Sequence, residues 1–304
     1  MAGTHRTPQR RHPVRTLAAA LVLALAAVAL YLSQAPSSRP AAVANVQPVA
    51  ASASPSPTPS PTPTADPAAA VRTAAAGVAA QGGVSVAVLD TASGVSASYG
   101  TGSFVTASIA KADILAALLW QRQQAGRELT SSEQATAALM IEQSDNDAAD
   151  TLYTAVGGAA GLDAANQAFG LTATTAGADG HWGLTETTAT DQLRLLQVVF
   201  GTDSALDAGR RTYLQGLMGQ VAADQDWGVS AADQDGAYTL KNGWLPRSAT
   251  GLWVVNSIGR VTHDGRDLLV AVLSDGSADE QSGIDTVESL AEAATGALAI
   301  ELTG

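Results

Sequence analysis

The chain has no cysteine in its 304 residues. That excludes a disulfide framework, a thiolate metal site, a thiol-linked lipid and a catalytic thiol, and it removes cysteine usage as a guide to compartment. Lysine is nearly as scarce: of 16 basic residues, 14 are Arg and only Lys111 and Lys241 are Lys. Positive charge as a whole is thin and uneven. Residues 1–40 hold five Arg and no acid, whereas residues 41–304 hold 28 acidic against 11 basic side chains, a net charge of −17. An acidic domain without a basic stripe excludes the usual electrostatics of nucleic-acid binding and fits a domain kept dispersed, as a monomer, by its own charge. With no cysteine, and with His181 and His263 not at ligand spacing, no metal and no cofactor are expected.

What is present falls into three parts: residues 1–35, 36–65 and 66–304. In the first, Arg6, Arg10, Arg11 and Arg15 precede an uncharged apolar run over residues 17–32. This is the pattern of a signal anchor or a signal peptide. The run is slightly short for a membrane span, and Thr16 and Ser33 extend it. The positive-inside rule places the N-terminus in the cytoplasm and the rest outside. Pro36 blocks cleavage after Ser33-Gln34-Ala35, and Ala42-Val43-Ala44 lies far downstream, so an uncleaved anchor is favoured over release. The expected location is the outer face of the cytoplasmic membrane, or the medium if the segment is removed. In the second part, "SASPSPTPSPTPTADP" has Pro at alternate positions, which prevents helix and ladder and favours an extended spacer of roughly 3 Å per residue. Such a tether holds the next domain some tens of Å from a membrane.

From residue 66 the pattern is helix, hairpin, several helices, strands, helix. Asp66 is an N-cap before Pro67 at the first helical position of a helix over 66–81. "GVSVAVLDTASGVSASYG" alternates around a Ser-Gly turn, as a hairpin does. Helices are expected over 106–125, 131–143, 145–156, 162–169, 188–200 and 208–222, strands over 237–244, 251–263 and 267–275, and a closing helix over 278–302. Asp264-Gly265 reads as a tight turn between the last two strands. Strands at both ends with helices between predict an α+β domain. It would have one antiparallel sheet of about five strands, the first and last helices on one face and the middle helices on the other.

Three short motifs carry chemistry. Ser108-Ile109-Ala110-Lys111 puts a hydroxyl and an amine three apart, on one helical face. A serine hydroxyl is a weak nucleophile until a base takes its proton. A buried Lys serves as that base because its pKa falls readily; Arg does not, since its pKa lies above 12. Ser144-Asp145-Asn146 opens a helix, where Asp145 suits the cap, leaving Ser144 and Asn146 to project into a cleft. Lys241-Asn242-Gly243 lies on a strand whose alternation sends Lys241 and Gly243 one way and Leu240 and Asn242 the other. A Lys there attracts a carboxylate and biases Lys111 downward, and Gly243 admits close backbone approach.

In order and context these motifs match S-x-x-K, S-D-N and K-T-G. The chain, over roughly residues 68–304, resembles the superfamily of class A serine β-lactamases and penicillin-binding proteins. The resemblance implies the β-lactamase/transpeptidase-like fold and acyl-enzyme chemistry on a β-lactam or a cell-wall stem-peptide amide. Ser108 would be the nucleophile and Lys111 the base. Ser144 would pass a proton to the leaving nitrogen, and Lys241 would hold the substrate carboxylate. Asn146, Asn242, Gly243 and Trp244 would line the substrate, with the Ser108 and Trp244 N–H groups as the oxyanion hole. The departures are Asn242 where Thr or Ser is usual, Trp244 where a small residue is usual, and a short Ser108-to-Ser144 spacing. The Arg that helps bind the substrate carboxylate in that family has no match on the strand over 252–257, which leaves Arg247 and Arg260 as candidates. The loop before "TETTATDQLRLL" has no Glu to activate a deacylating water, only Asp179 and His181. A slow or non-hydrolytic penicillin-binding or cell-wall sensing module is therefore the competing expectation.

Overall fold

A computed structural model describes residues 66–303; the apolar run and the Pro-rich tether lie outside the described residues. The chain forms α1 (Pro67–Ala76), β1 (Val84–Asp90), β2 (Ser96–Tyr99) and β3 (Phe104–Val105), then α2 (Ala110–Gln124), α3 (Ser131–Glu142), α4 (Asn146–Val156) and α5 (Gly158–Phe169). There follow β4 (Glu186–Thr187), α6 (Ala189–Phe200), α7 (Ala208–Met218), β5 (Thr239–Pro246), β6 (Trp253–His263), β7 (Arg266–Ser277) and α8 (Glu280–Thr303). Five strands pair antiparallel in the order β2-β1-β7-β6-β5, and β3 with β4 makes a separate two-stranded ribbon.

The sheet is covered on both faces, as the sequence pattern predicted. Val86, Val88, Val270 and Val272 pack with Val71 of α1 and with Val287, Leu290 and Leu298 of α8. Their neighbours in sequence, Ala87, Leu89, Leu269, Ala271 and Leu273, face the helical layer of α2 to α7. Each large aliphatic side chain so enclosed contributes about 1.5–3 kcal/mol. Because alternate residues reach different cores, β1 and β7 read as near-continuous apolar runs.

Local chemistry sets most boundaries. Asp66 caps α1, its carboxylate accepting from Ala69 N at 2.9 Å. The helix stops at Ala76 rather than near 81: Gly77 ends it, and the following residues 79–83 are exposed, so further helix would bury nothing. Asp264 and Gly265 turn β6 into β7 with φ of 48° and 69°, the paired positive values of a tight hairpin turn. The helix expected from 106 begins only at Ala110, after a 3-10 turn over Ala107–Ile109 entered through Ala107 at φ 47°. That interruption is what presents the first motif.

Candidate active site

Three segments converge at the edge strand β5: the turn before α2, the α3–α4 connection and β5 itself. α2 is enclosed from Ala110 to Leu119, and that enclosure carries Lys111 inside with no exposed surface. Asp145 caps α4, accepting from Ala148 N at 2.7 Å, which leaves Ser144 just outside the helix at φ 54°. A non-glycine residue in that left-handed region is uncommon and persists where its surroundings hold it. Here the Lys111 ammonium holds it, donating to Ser144 O at 2.5 Å, to Ser144 Oγ at 3.1 Å and to Asn146 Oδ1 at 2.8 Å. From the other side Lys241, equally enclosed, donates to Ser144 Oγ at 3.0 Å and to Asn242 O at 3.0 Å. The only two lysines of the chain thus meet on one hydroxyl.

Burial pushes the Lys111 ammonium down to about 8, against the carboxylates of Asp145 and Asp150, which favour the charged form. Lys241 lies well below the ordinary lysine value, first because it is buried and then because Lys111 repels it. The sequence pattern had Lys241 depressing Lys111. Burial does most of that work, and the repulsion is felt chiefly at the deeper amine.

Ser108 is half-buried in the 3-10 turn one helical turn from Lys111. Its hydroxyl makes no hydrogen bond among the described residues; all three Lys111 contacts go to Ser144 and Asn146. The backbone around Ser108 is pinned instead. Asn256, on β6 and fully buried, donates to Val105 O at 2.9 Å and Thr106 O at 3.0 Å, and Thr106 N donates to Thr185 O at 2.8 Å. Gly243 packs so close that a Cβ there would stand 2.7 Å from Ser108 N, Ile109 N and Thr106 O. These contacts hold Ala107 in its left-handed conformation just before Ser108.

Two expected lining residues face elsewhere. Asn242 is enclosed, its amide donating to Gln225 O at 2.8 Å and Trp227 O at 2.9 Å, so its side chain braces β5 from behind rather than meeting a ligand. The Trp244 ring packs edge-on against Trp227, centroids 5.7 Å apart, on the α8 side of the sheet. Strand alternation explains both, since they share parity with Leu240 and oppose Lys241. Arg260 is committed to Asp267 at 2.8 Å. His181 and Asp179 are exposed, with His181 on the rim of a cavity of about 380 Å³ that Asn146, Asp150, Trp182 and Leu245 also line.

Sequence reasoning missed three residues here. Trp182 sits 5.0 Å from Lys111 Nζ, ring centroid to nitrogen, and its indole donates to Asp150 Oδ1 at 2.7 Å. Asp150 follows Asn146 by four positions on α4 and so shares its face, a signal that was available. Asn256 was visible as a lone amide in the apolar run "WVVNSIG".

A family model described as the Beta-lactamase enzyme family matches residues 120–298. The chain belongs to that family. The match contains Ser144, Asn146 and Lys241, and begins after Ser108 and Lys111. Among solved structures, this β-lactamase-family chain superimposes on a class A β-lactamase from Bacteroides cellulosilyticus with a TM-score of 0.65 at 17% identity, covering 76% of this chain and 98% of that one. It superimposes on the TLA-1 extended-spectrum β-lactamase at 0.68 and 15%, covering 77% and 99%. For a β-lactamase from Chitinophaga pinensis the values are 0.63 and 18%, covering 77% and 98%. At these identities the likeness is one of fold. A protein named as lipoprotein LppW in Mycobacterium tuberculosis and Mycobacterium bovis is 28% identical over 211 residues, 66% of this chain and 66% of that protein's length.

Proposed function

We propose that this β-lactamase-family chain is an extracytoplasmic serine hydrolase that forms an acyl-enzyme on a β-lactam or a cell-wall peptide amide. The observation that carries it is the meeting of Lys111 and Lys241 on Ser144 Oγ, at 3.1 and 3.0 Å. An amine held near 8 by burial is a competent base at neutral pH. In its neutral form Lys111 takes the Ser108 proton as Oγ bonds to the carbonyl carbon. The carbonyl oxygen gathers the negative charge against the N–H groups of Ser108 and Trp244. Ser144, supplied by the two amines, hands a proton to the departing nitrogen as the C–N bond breaks. Lys241 faces the substrate carboxylate, Asn146 its amide, and Gly243 lets the backbone of β5 approach the bound chain. Without a cysteine, membrane attachment falls to the apolar run over residues 17–32.

Release of the acyl group needs a water and a base, and the loop after α5 supplies no Glu. Trp182, beside Lys111 and tied to Asp150, occupies that side of the site. A persistent acyl-enzyme follows, so turnover is slow or absent. A non-covalent cell-wall binding module is the second reading, favoured by a Ser108 hydroxyl that makes no hydrogen bond among the described residues. Intact-protein mass spectrometry after a pulse of benzylpenicillin separates these. The expected result is a long-lived adduct on the wild type that Ser108→Ala abolishes. No adduct at millimolar penicillin overturns the acyl-transfer reading.

A further inference from the structure

Around Arg247, four residues beyond Gly243 in the chain, lies a second cavity, of about 340 Å³, walled by Ser103, Val105, Glu186, Arg247, Leu252 and Asp275 among others. Its charges do not neutralise one another. The Arg247 side chain makes no hydrogen bond or ion pair among the described residues, and its Nη1 is buried without a partner. A buried, unpartnered guanidinium nitrogen is costly and unusual in a native fold. A tight loop keeps Arg247 where it is: its N–H donates to Leu252 O at 2.8 Å, and its carbonyl accepts from Thr250 N at 3.1 Å and Gly251 N at 2.7 Å. The carboxylates opposite are occupied only lightly. Asp275 Oδ1 accepts from Gly83 N at 2.9 Å, and Glu186 Oε2 from Ser103 Oγ at 3.5 Å. One cation and two anions thus line a space they share with Val105, Leu252 and Val254, and no ion pair joins them among the described residues.

We propose that this cavity is a binding pocket for a zwitterionic amino-acid group. The ligand carboxylate lies on the Arg247 guanidinium, whose fork suits it. The ligand ammonium lies between Glu186 and Asp275, and its aliphatic stem runs along Val105 and Leu252. The position makes the pocket a distal subsite, a point that rests on the acyl-transfer reading. Arg247 follows Gly243, the residue against Ser108, by four positions along β5 and its extension, about 13 Å of extended chain. Lys241 lies two residues the other way. A substrate held at one end by Lys241 and cut at Ser108 would reach the pocket with a long side chain ending in a free amino acid. Simple acyl groups would leave it empty.

Two measurements on the full-length chain test this. Acylation rates are compared for three penicillins that share one bicyclic core and differ in the side chain: D-α-aminoadipoyl (zwitterionic), glutaryl (anionic) and phenylacetyl (neutral). The zwitterionic compound should acylate at least tenfold faster than the neutral one. Arg247→Ala should erase that preference, Arg247→Lys should restore part of it, and Glu186→Gln should bring the zwitterion down to the anionic compound, each read as that compound's rate relative to the neutral one for the same variant. Equal rates for the three penicillins, or a preference that survives Arg247→Ala, overturn the proposal. Should no penicillin acylate Ser108, the acyl-transfer reading fails, and titration of free D-α-aminoadipate by NMR still decides the pocket. Saturable millimolar binding that Arg247→Ala abolishes supports it; absence of binding overturns it.

Discussion

Trp182 and Asp150 are joined by a 2.7 Å hydrogen bond from the indole N–H to the carboxylate, in a loop and a helix that lie 32 residues apart in the chain. The bond fixes a negative charge near Lys111, where it raises the basicity that burial lowers. Asp150→Asn removes the charge and keeps an acceptor for the indole. The Lys111 pKa then falls below its value of about 8. An amine accepts a proton only when neutral, and a lower pKa makes Lys111 neutral at lower pH. The acylation pH profile should therefore shift to the acid side, and a half-unit shift makes the variant about threefold faster at pH 6.5. A profile of acylation rate from pH 5.5 to 9 checks the direction.

Lys111→Arg keeps a buried positive charge beside Ser144 but cannot release a proton at any accessible pH. Acylation should fall by about 10²–10⁴, the usual range for loss of a general base, with no recovery up to pH 10. Stopped-flow acylation followed by intact mass measures it, and circular dichroism verifies that the variant is folded.

Gly243→Ala places a methyl 2.7 Å from three backbone atoms of the Ser108 turn. None of them is the tip of a flexible side chain, so β5 and the turn must separate. Acylation should drop roughly a hundredfold, on the scale of a 1 Å misplacement, and the melting temperature should fall. Gly216→Ala on α7 is the contrast: beyond its chain neighbours and its own helix's backbone, nothing among the described residues lies within 4 Å of the added methyl, and the helix should gain about 0.5–1 kcal/mol. Thermal unfolding of the two variants should move in opposite directions.

Asp113 lies on α2, fully enclosed, with neither carboxylate oxygen in hydrogen-bond geometry with a partner among the described residues. Burial pushes its pKa up to about 7; the nearby Asn166 amide holds it down, and the negative charges of Asp163 and Asp191 add to the rise. The unfolded chain releases the proton near the ordinary value of 3.8, so between about pH 4 and pH 7 the folded state binds more protons than the unfolded one. Stability is fully retained below that window and is lost as pH rises through it, by up to about 4 kcal/mol. Asp113→Asn should flatten the decline and stabilise the protein at pH 8. Urea unfolding at pH 4, 6 and 8 tests the slope.

Some of this was open to reading along the chain. Asp66, Asp145 and Asp264-Gly265 act through their nearest neighbours, so the capped helices and the last hairpin could be placed without coordinates. The alternation of β5 already set Asn242 and Trp244 on the face away from Lys241; the motif comparison assigned them to substrate against that pattern, and the strand geometry prevailed. The β3–β4 ribbon escaped notice because two residues on each side carry no period.

The sequence alone put the candidate groups forward: three short motifs in order, and the resemblance they carry, single out two serines and the only two lysines of the chain. Tertiary structure decided what those groups experience. Whether an amine is a base near neutrality depends on water being excluded around it, and that enclosure comes from α2, the α4 cap and β5 meeting, residues up to 130 positions apart in the chain. The Asp150–Trp182 bond is of the same kind: it is a distance between segments 32 residues apart, and no local pattern encodes it.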